Sequence, residues 1–209
     1  MKTFIAATFF LFLSWMTYGQ GDPITLLHLN QNRLSTAEIH AFILGGWAIS
    51  NIVISGYFTW KLYDGEPEAF HHMNAAWNLV NLGVAWAMLF HINQANPTDY
   101  DLMTSVQKHY HTQKLMMLNM GLDLSYTLAG LWLFEKGKKE GRYDFMLRGF
   151  GKSLILQGAF LLLLDTTFYT IYASQNPALQ QILQQLTIHA DGIGRASFGF
   201  SQLVFFFGI

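Results

Sequence analysis

The chain has 209 residues, of which 52% are hydrophobic and only 12% are charged. That charged share is about half the share of an ordinary soluble domain, and it leaves long uncharged runs that are typical of membrane-spanning segments. The formal net charge of −1 gives the chain no general attraction for nucleic acid. Because the sequence has no cysteine, disulfides, thiolate metal sites, a cysteine nucleophile and a lipoprotein anchor are excluded.

The first 19 residues are typical of a targeting segment. Lys2 precedes the apolar run Thr3–Leu13, and small residues then lead into a polar stretch that begins at Gln20. This pattern predicts a signal peptide over residues 1–19 and a single transmembrane domain over residues 20–209. An uncleaved anchor is the alternative, since the segment Thr3–Gly21 is just long enough to span a bilayer. Both interpretations place the start of the remaining chain outside the cytoplasm.

Long apolar runs predict four membrane-spanning helices. They are Ala37–Trp60, Phe70–Ile92, Leu115–Phe134 and Ser153–Ala173. The motif Ser35–Glu38 resembles a capping box, so we expect the first helix to begin there, after a polar leader. The last apolar segment, His189–Ile209, is interrupted by glycines and predicts a short or re-entrant helix. The predicted fold class is an all-α integral membrane helical bundle of four clear transmembrane helices plus this C-terminal apolar helix, preceded by a signal peptide.

The basic residues flank the predicted spans unevenly. Seven lie on one side, namely Lys61, Lys136, Lys138, Lys139, Arg142, Arg148 and Lys152, and three lie on the other, namely Arg33, Lys108 and Lys114. By the positive-inside rule, the Glu135–Lys152 loop is cytoplasmic, and Asn93–Gln113 and Ser174–Ile188 are periplasmic. Together with the signal peptide, this predicts a multi-pass protein of a bacterial plasma (inner) membrane.

Polar side chains recur on one face of each predicted span, where hydrocarbon would make them unfavourable unless they face the bundle interior. In the second span, Asn74, Asn78 and Asn81 share one helical face, and Asn51 and Asn119 are offered by the first and third spans. Such asparagines either fix the packing of helices through hydrogen bonds or line a polar site. Packing is the simpler interpretation of this series.

Three charged residues form the predicted intramembrane site. Asp123, Asp165 and Arg195 each lie seven or eight residues from the outer end of an apolar segment, which corresponds to a depth of roughly 10–12 Å. An arginine between two carboxylates would compensate part of the burial cost, and a remaining carboxylate could bind a proton or a cation. A purely structural ion-pair triad is the alternative.

Histidines suggest a second site, since six of the eight map to the outer half of the predicted topology. Imidazole binds zinc, copper, iron or haem. The tentative metal ligands are His40, His91, His109, His111 and His189. No tight ligand motif is present among them, and interfacial histidines commonly bond to backbone or water, so the cofactor stays open between a metal, a haem and none.

The run His71–Leu82 resembles segments of small uncharacterised bacterial multi-span membrane proteins. That resemblance covers one helix, implies the same class of protein and carries no functional residue. Because no phosphate-binding loop, Gly-x-Ser-x-Gly elbow or histidine box is present, the sequence favours a non-enzymatic role. Three functions stay open: a small transporter or proton/cation-linked permeation protein, a non-catalytic subunit that binds other membrane subunits, and a periplasmic-face metal- or haem-binding protein. The expected partners are the lipid bilayer and such subunits, with no nucleic acid.

Overall fold

A computed structural model describes residues 26–61, 64–139 and 141–193, with side chains described as far as residue 184. These residues form five α-helices and one 3-10 helix. The helices are α1 (Leu26–Lys61), α2 (Glu66–Asn93), the 3-10 helix (Pro97–Asp99), α3 (Leu102–Lys136), α4 (Asp144–Ala173) and α5 (Asn176–Ile193). The predicted signal peptide, Arg195 and most of the C-terminal apolar segment lie outside the described residues, as does the side chain of His189.

The all-α prediction is confirmed for the described part of the chain, which contains no strand. Three helical stretches there are long and apolar enough to cross a membrane, namely Leu26–Lys61, Glu66–Asn93 and Asp144–Gln184. The predicted third span lies within α3, which is 35 residues long but is not among the three. Its first half is polar, and Asn119 and Asp123 reduce the hydropathy of the rest, so a fourth span stays a prediction.

Helix α1 begins at Leu26, about three turns before the start that the Ser35–Glu38 motif predicted. That prediction was wrong, and the first described turns of α1 pack against other helices. Leu29 is buried in a cluster with Val106 of α3 and Leu179 of α5. Burial of this apolar face extends the helix through the polar segment that precedes the predicted span.

The other helix starts follow local sequence signals. Asp101 is the N-cap of α3, where its Oδ1 accepts a hydrogen bond of 2.7 Å from the Thr104 amide. Helix α2 follows a tight turn in which Gly65 has a φ of 117°, a conformation that favours glycine. Pro67 then occupies the first turn of α2, where a missing amide hydrogen is tolerated.

Helix α4 lies at the centre of the bundle and packs against α3 most extensively, and also against α2 and α1. Glycines allow α3 and α4 to approach closely. A Cβ on Gly130 would lie 2.8 Å from the Gly151 carbonyl oxygen, and a Cβ on Gly158 would lie 2.7 Å from the Asp123 carbonyl oxygen. Close approach at small residues is typical of helix pairs in membranes.

The outer surface of the bundle is strongly apolar. Each long helix exposes large apolar side chains, for example Phe42 on α1, Trp86 on α2, Trp132 on α3 and Leu163 on α4, which are 54–66% exposed. A soluble bundle would carry polar residues on these faces. The interior, by contrast, buries several amide, imidazole and carboxyl groups.

An ion-pair cluster joins the first turns of α2 and α4. Arg148 donates from Nε to Glu66 Oε2 at 2.7 Å, and from Nη1 to the Gly137 carbonyl oxygen at 2.7 Å. Lys152 makes a second ion pair with Glu66. Gly149 brings α4 so close to α2 that a Cβ there would lie 2.6 Å from the Glu66 carbonyl oxygen. This cluster fixes the α3–α4 loop against the start of α2.

Candidate functional site

The buried polar groups between α1 and α4 form three layers. The middle layer is set by His40 against Asp165, and the inner layer by Trp47 against Gln157. Seven residues separate His40 from Trp47, so the layers lie about 10 Å apart along antiparallel helices. Arg33 lies seven residues before His40 on α1, and Tyr172 lies seven residues after Asp165 on α4. These two residues form the outer layer, in which their side chains interact electrostatically.

The middle layer contains an imidazole and a carboxylate that are both removed from solvent. His40 Nε2 lies 3.2 Å from Asp165 Oδ1, and the two side chains are 4% and 7% exposed. The His40 ring also stacks on Phe168, with ring centroids 4.4 Å apart. Its other nitrogen, Nδ1, is buried and has no hydrogen-bond partner within the described part of the chain.

Asp123 of α3 is the second acidic group at this level. It is buried, and its Oδ2 has no hydrogen-bond partner among the described residues. The contacts of Gly130 with Gly151 and Ile155 set an antiparallel register in which Asp123 lies about one and a half to two turns from the level of Asp165. The two carboxyl groups interact electrostatically across this distance. Of the predicted charged triad, the structure therefore brings both aspartates together, and Arg195 lies outside the described residues.

The inner layer is a closed network of amides around Gln157, which is fully buried. Gln157 Nε2 donates to Asn74 Oδ1 at 2.5 Å, and Gln157 Oε1 accepts from Trp47 Nε1 at 3.0 Å and from Asn81 Nδ2 at 3.4 Å. Further bonds extend from Asn74 Nδ2 to Asn51 Oδ1 at 2.9 Å and to Ser55 Oγ at 2.8 Å, and from Asn78 Nδ2 to the Asn74 carbonyl oxygen at 2.7 Å. These groups are neutral and mutually satisfied, which favours the packing interpretation of the asparagine series.

The outer layer contains a buried imidazole beside a buried guanidinium. His109 Nε2 lies 2.7 Å from Asn176 Oδ1 and 2.9 Å from Gln113 Nε2. Burial lowers the pKa of His109, and the nearby positive charge of Arg33 lowers it further, although the bond to Asn176 acts in the opposite direction. His109 is therefore held in its neutral form.

The remaining predicted site residues lie apart. Asn119 is half-buried, and His91 and His111 are exposed, His111 beside Lys108 and Lys114 in a surface cavity of α3. Within residues 26–184, no group of three or more His, Asp or Glu side chains is arranged to hold a metal ion. The metal or haem hypothesis thus gains no support from the described side chains.

Two features of the site escaped the sequence analysis. The interpretation of His40 as a metal ligand overlooked its pairing with Asp165, and Arg33 was assigned to a solvated leader although it is only 8% exposed. The signal that would have found both is a spacing of seven residues. Arg33, His40 and Trp47 repeat at that interval on α1, as do Asp165 and Tyr172 on α4.

Comparison with known proteins identifies a family but assigns no function to it. No curated protein matches the chain and no solved structure matches it. Residues 43–166, more than half of the chain, match a family of unknown function (DUF6992), and this region contains Asp123, Asp165 and the amide network, whereas Arg33 and His40 precede it. The chain belongs to this family of unknown function, DUF6992.

Proposed function

We propose that the protein is an integral membrane protein in which α1, α2, α3 and α4 cross the bilayer, with the α3–α4 loop in the cytoplasm. The three apolar membrane-length stretches and the exposed apolar side chains of all four helices support this setting. The excess of basic residues around the α3–α4 loop supports the orientation. In that orientation, the layer of Arg33 and His109 lies at the outer end of the bundle and the amide network lies toward the inner end.

We further propose that the cluster of His40, Asp123 and Asp165 takes up and releases a proton within the membrane. Two buried carboxyl groups that interact electrostatically would repel each other if both were ionised, and only one imidazole lies beside them. The cluster is therefore stabilised by binding a positive charge. The single observation that carries this proposal is the buried pairing of His40 with Asp165 beside a second buried aspartate.

Unsatisfied polar atoms distinguish this cluster from the amide network beneath it. His40 Nδ1 and Asp123 Oδ2 have no hydrogen-bond partner among the described residues, whereas the amides around Gln157 bond to one another. A cluster that served packing alone would be expected to satisfy its buried atoms, since each unsatisfied one costs about 1–3 kcal/mol. The proposed function is a small transporter or proton/cation-linked permeation protein that uses this cluster.

Proton flux into liposomes tests the proposal. Purified full-length protein is reconstituted with an internal pH-sensitive dye, and a potassium gradient with valinomycin sets an inside-negative potential. We expect proton uptake above that of protein-free liposomes, and uptake at the protein-free level for Asp165→Asn and Asp123→Asn. Asp99→Asn is the matched control, because Asp99 is exposed in the 3-10 helix, and it should leave the flux unchanged.

Folding and assembly are monitored in the same preparations. Each variant must retain the circular dichroism spectrum and elution volume of the wild type before its flux is compared. Flux that equals that of protein-free liposomes for the wild type, or that is unaffected by both aspartate substitutions, would contradict the proposal. Stable co-purification of a second membrane protein in the absence of flux would instead favour the subunit function.

A further inference from the structure

Arg33 is a buried cation without an ion-pair partner in the described part of the chain. It lies in the second turn of α1 and is only 8% exposed. Its guanidinium carbon lies 5.3 Å from the centroid of the Tyr100 ring, and the side chain also forms a hydrogen bond with Tyr100. A buried charge without a counter-ion is strongly unfavourable, because no opposite charge compensates the hydration free energy that is lost on burial.

The unsatisfied atoms of Arg33 lie along one edge of the guanidinium. Nε and Nη2 are both buried and have no hydrogen-bond partner among the described residues. These two nitrogens point their N–H bonds in parallel, which is the geometry that binds two oxygens of a phosphate or carboxylate. The site therefore presents a complete two-pronged donor edge that its own helix neighbours do not use.

The acidic residues closest in sequence to Tyr100 are engaged elsewhere. Asp101 Oδ1 accepts from the Thr104 amide at 2.7 Å, and Asp99 Oδ1 accepts from Asn96 Nδ2 at 3.0 Å. The buried imidazole of His109 also interacts electrostatically with Arg33, but it supplies no negative charge.

We propose that the free edge of Arg33 binds a phosphate-type oxyanion at the outer end of the bundle. In the proposed orientation this layer lies where lipid phosphates are found, so a lipid headgroup and free phosphate are the two sources of the same chemistry. The site is separate from the cluster of His40, Asp123 and Asp165, and the binding test below does not depend on proton flux.

Binding is measured on the full-length protein purified in neutral detergent. Native mass spectrometry compares retention of phosphatidylglycerol with that of phosphatidylcholine, and a thermal-shift titration compares inorganic phosphate with chloride at equal ionic strength. We expect Arg33→Gln to weaken retention of the bound anion by about tenfold or more, since a buried charge-assisted pair is lost. Arg33→Lys should weaken it as well, because it keeps the charge but loses the paired edge.

Arg142→Gln is the matched control. Arg142 is exposed and lies over the Tyr143 ring at 5.4 Å, much as Arg33 lies over the Tyr100 ring. Selective retention of phosphatidylglycerol identifies a headgroup site, and stabilisation by inorganic phosphate alone identifies a site for a free anion. Binding in neither assay, or an equal loss in Arg33→Gln and Arg142→Gln, would overturn the proposal.

The proposal would also be overturned if a carboxylate of this chain occupied the donor edge of Arg33. Asp22 and Asp191 are acidic residues of the chain whose side chains lie outside those described. If Asp22→Asn or Asp191→Asn lowers stability in the wild type but not in Arg33→Gln, that carboxylate fills the Arg33 edge and no external anion is needed. We expect no such coupling.

Discussion

Replacing Gly130 with alanine tests the close contact between α3 and α4. A Cβ at this position would lie 2.8 Å from both the Gly151 carbonyl oxygen and the Ile155 amide nitrogen. Backbone atoms cannot rotate out of the way as side chains can, so the two helices must move apart by several tenths of an ångström. Forcing extra volume into a packed interface costs about 1–3 kcal/mol.

Gly121→Ala supplies the comparison, because Gly121 lies in the same helix and a Cβ there would meet nothing within 4 Å. Both variants gain the same helix propensity, about 0.8–1 kcal/mol relative to glycine. The difference between them therefore isolates the contact with α4. We expect Gly130→Ala to unfold with a free energy about 1–3 kcal/mol lower than that of Gly121→Ala.

The assay is equilibrium unfolding in mixed micelles with increasing dodecyl sulfate, followed by circular dichroism and tryptophan fluorescence. Gly151→Ala offers an independent check on the same contact, since its Cβ would lie 2.6 Å from the Gly130 carbonyl oxygen. If Gly130→Ala and Gly151→Ala are both as stable as Gly121→Ala, the helices are not in backbone contact and the described packing is incorrect.

Three further changes have definite expectations in the same assay. Gln157→Leu should cost about 1–3 kcal/mol, because it leaves the amide of Asn74 and its neighbours without their buried partner. Arg148→Ala should lower the free energy of unfolding only slightly, since its ion pair with Glu66 is partly exposed and screened by solvent. Burial lowers the pKa of His109, so the unfolded chain binds the extra proton below about pH 6.5 and stability falls there. His109→Gln should reduce that loss as the pH falls below about 6.5.

Exposed residues of the same types provide the controls for those three changes. Gln107→Leu, Arg142→Ala and His91→Gln alter side chains that lie at the surface. Each should change the free energy of unfolding by no more than about 0.5 kcal/mol. If a surface variant lowers the free energy of unfolding as much as its counterpart does, the contact made by that counterpart contributes nothing specific to stability.

Apolar run length accounts for the parts of the fold that could be predicted from the sequence. A helix that buries one polar stripe and exposes the rest to hydrocarbon leaves a long uncharged run, which is how α1, α2 and α4 were recognised. The start of α1 could not be found in this way, because Leu29 is buried by residues of α3 and α5 that are distant in sequence. The Ser35–Glu38 motif is a local signal, and this tertiary contact outweighed it.

The candidate site shows the same division between local and long-range information. The sequence predicted that Asp123 and Asp165 lie near each other, because both lie at the same depth from the ends of their spans. Such a depth depends only on the position of a residue within its span. The partner of Asp165 could not be found by depth alone, since His40 reaches it only when α1 packs on α4 in one rotational setting. Burial of Arg33 likewise depends on Tyr100 and Tyr172 from two other segments.

Gly158 contributes both to the packing of α3 on α4 and to the proposed site of His40, Asp123 and Asp165. A Cβ there would lie 2.7 Å from the Asp123 carbonyl oxygen, so the glycine keeps Asp123 close to α4, the helix that carries Asp165. Gly130 lies two turns farther along α3, away from the carboxylates. When the two variants lose the same free energy of unfolding, Gly158→Ala should therefore reduce proton flux more than Gly130→Ala does. The reason is that Gly158→Ala moves Asp123 away from Asp165. Equal flux in the two variants would mean that the spacing of the carboxylates does not control proton uptake.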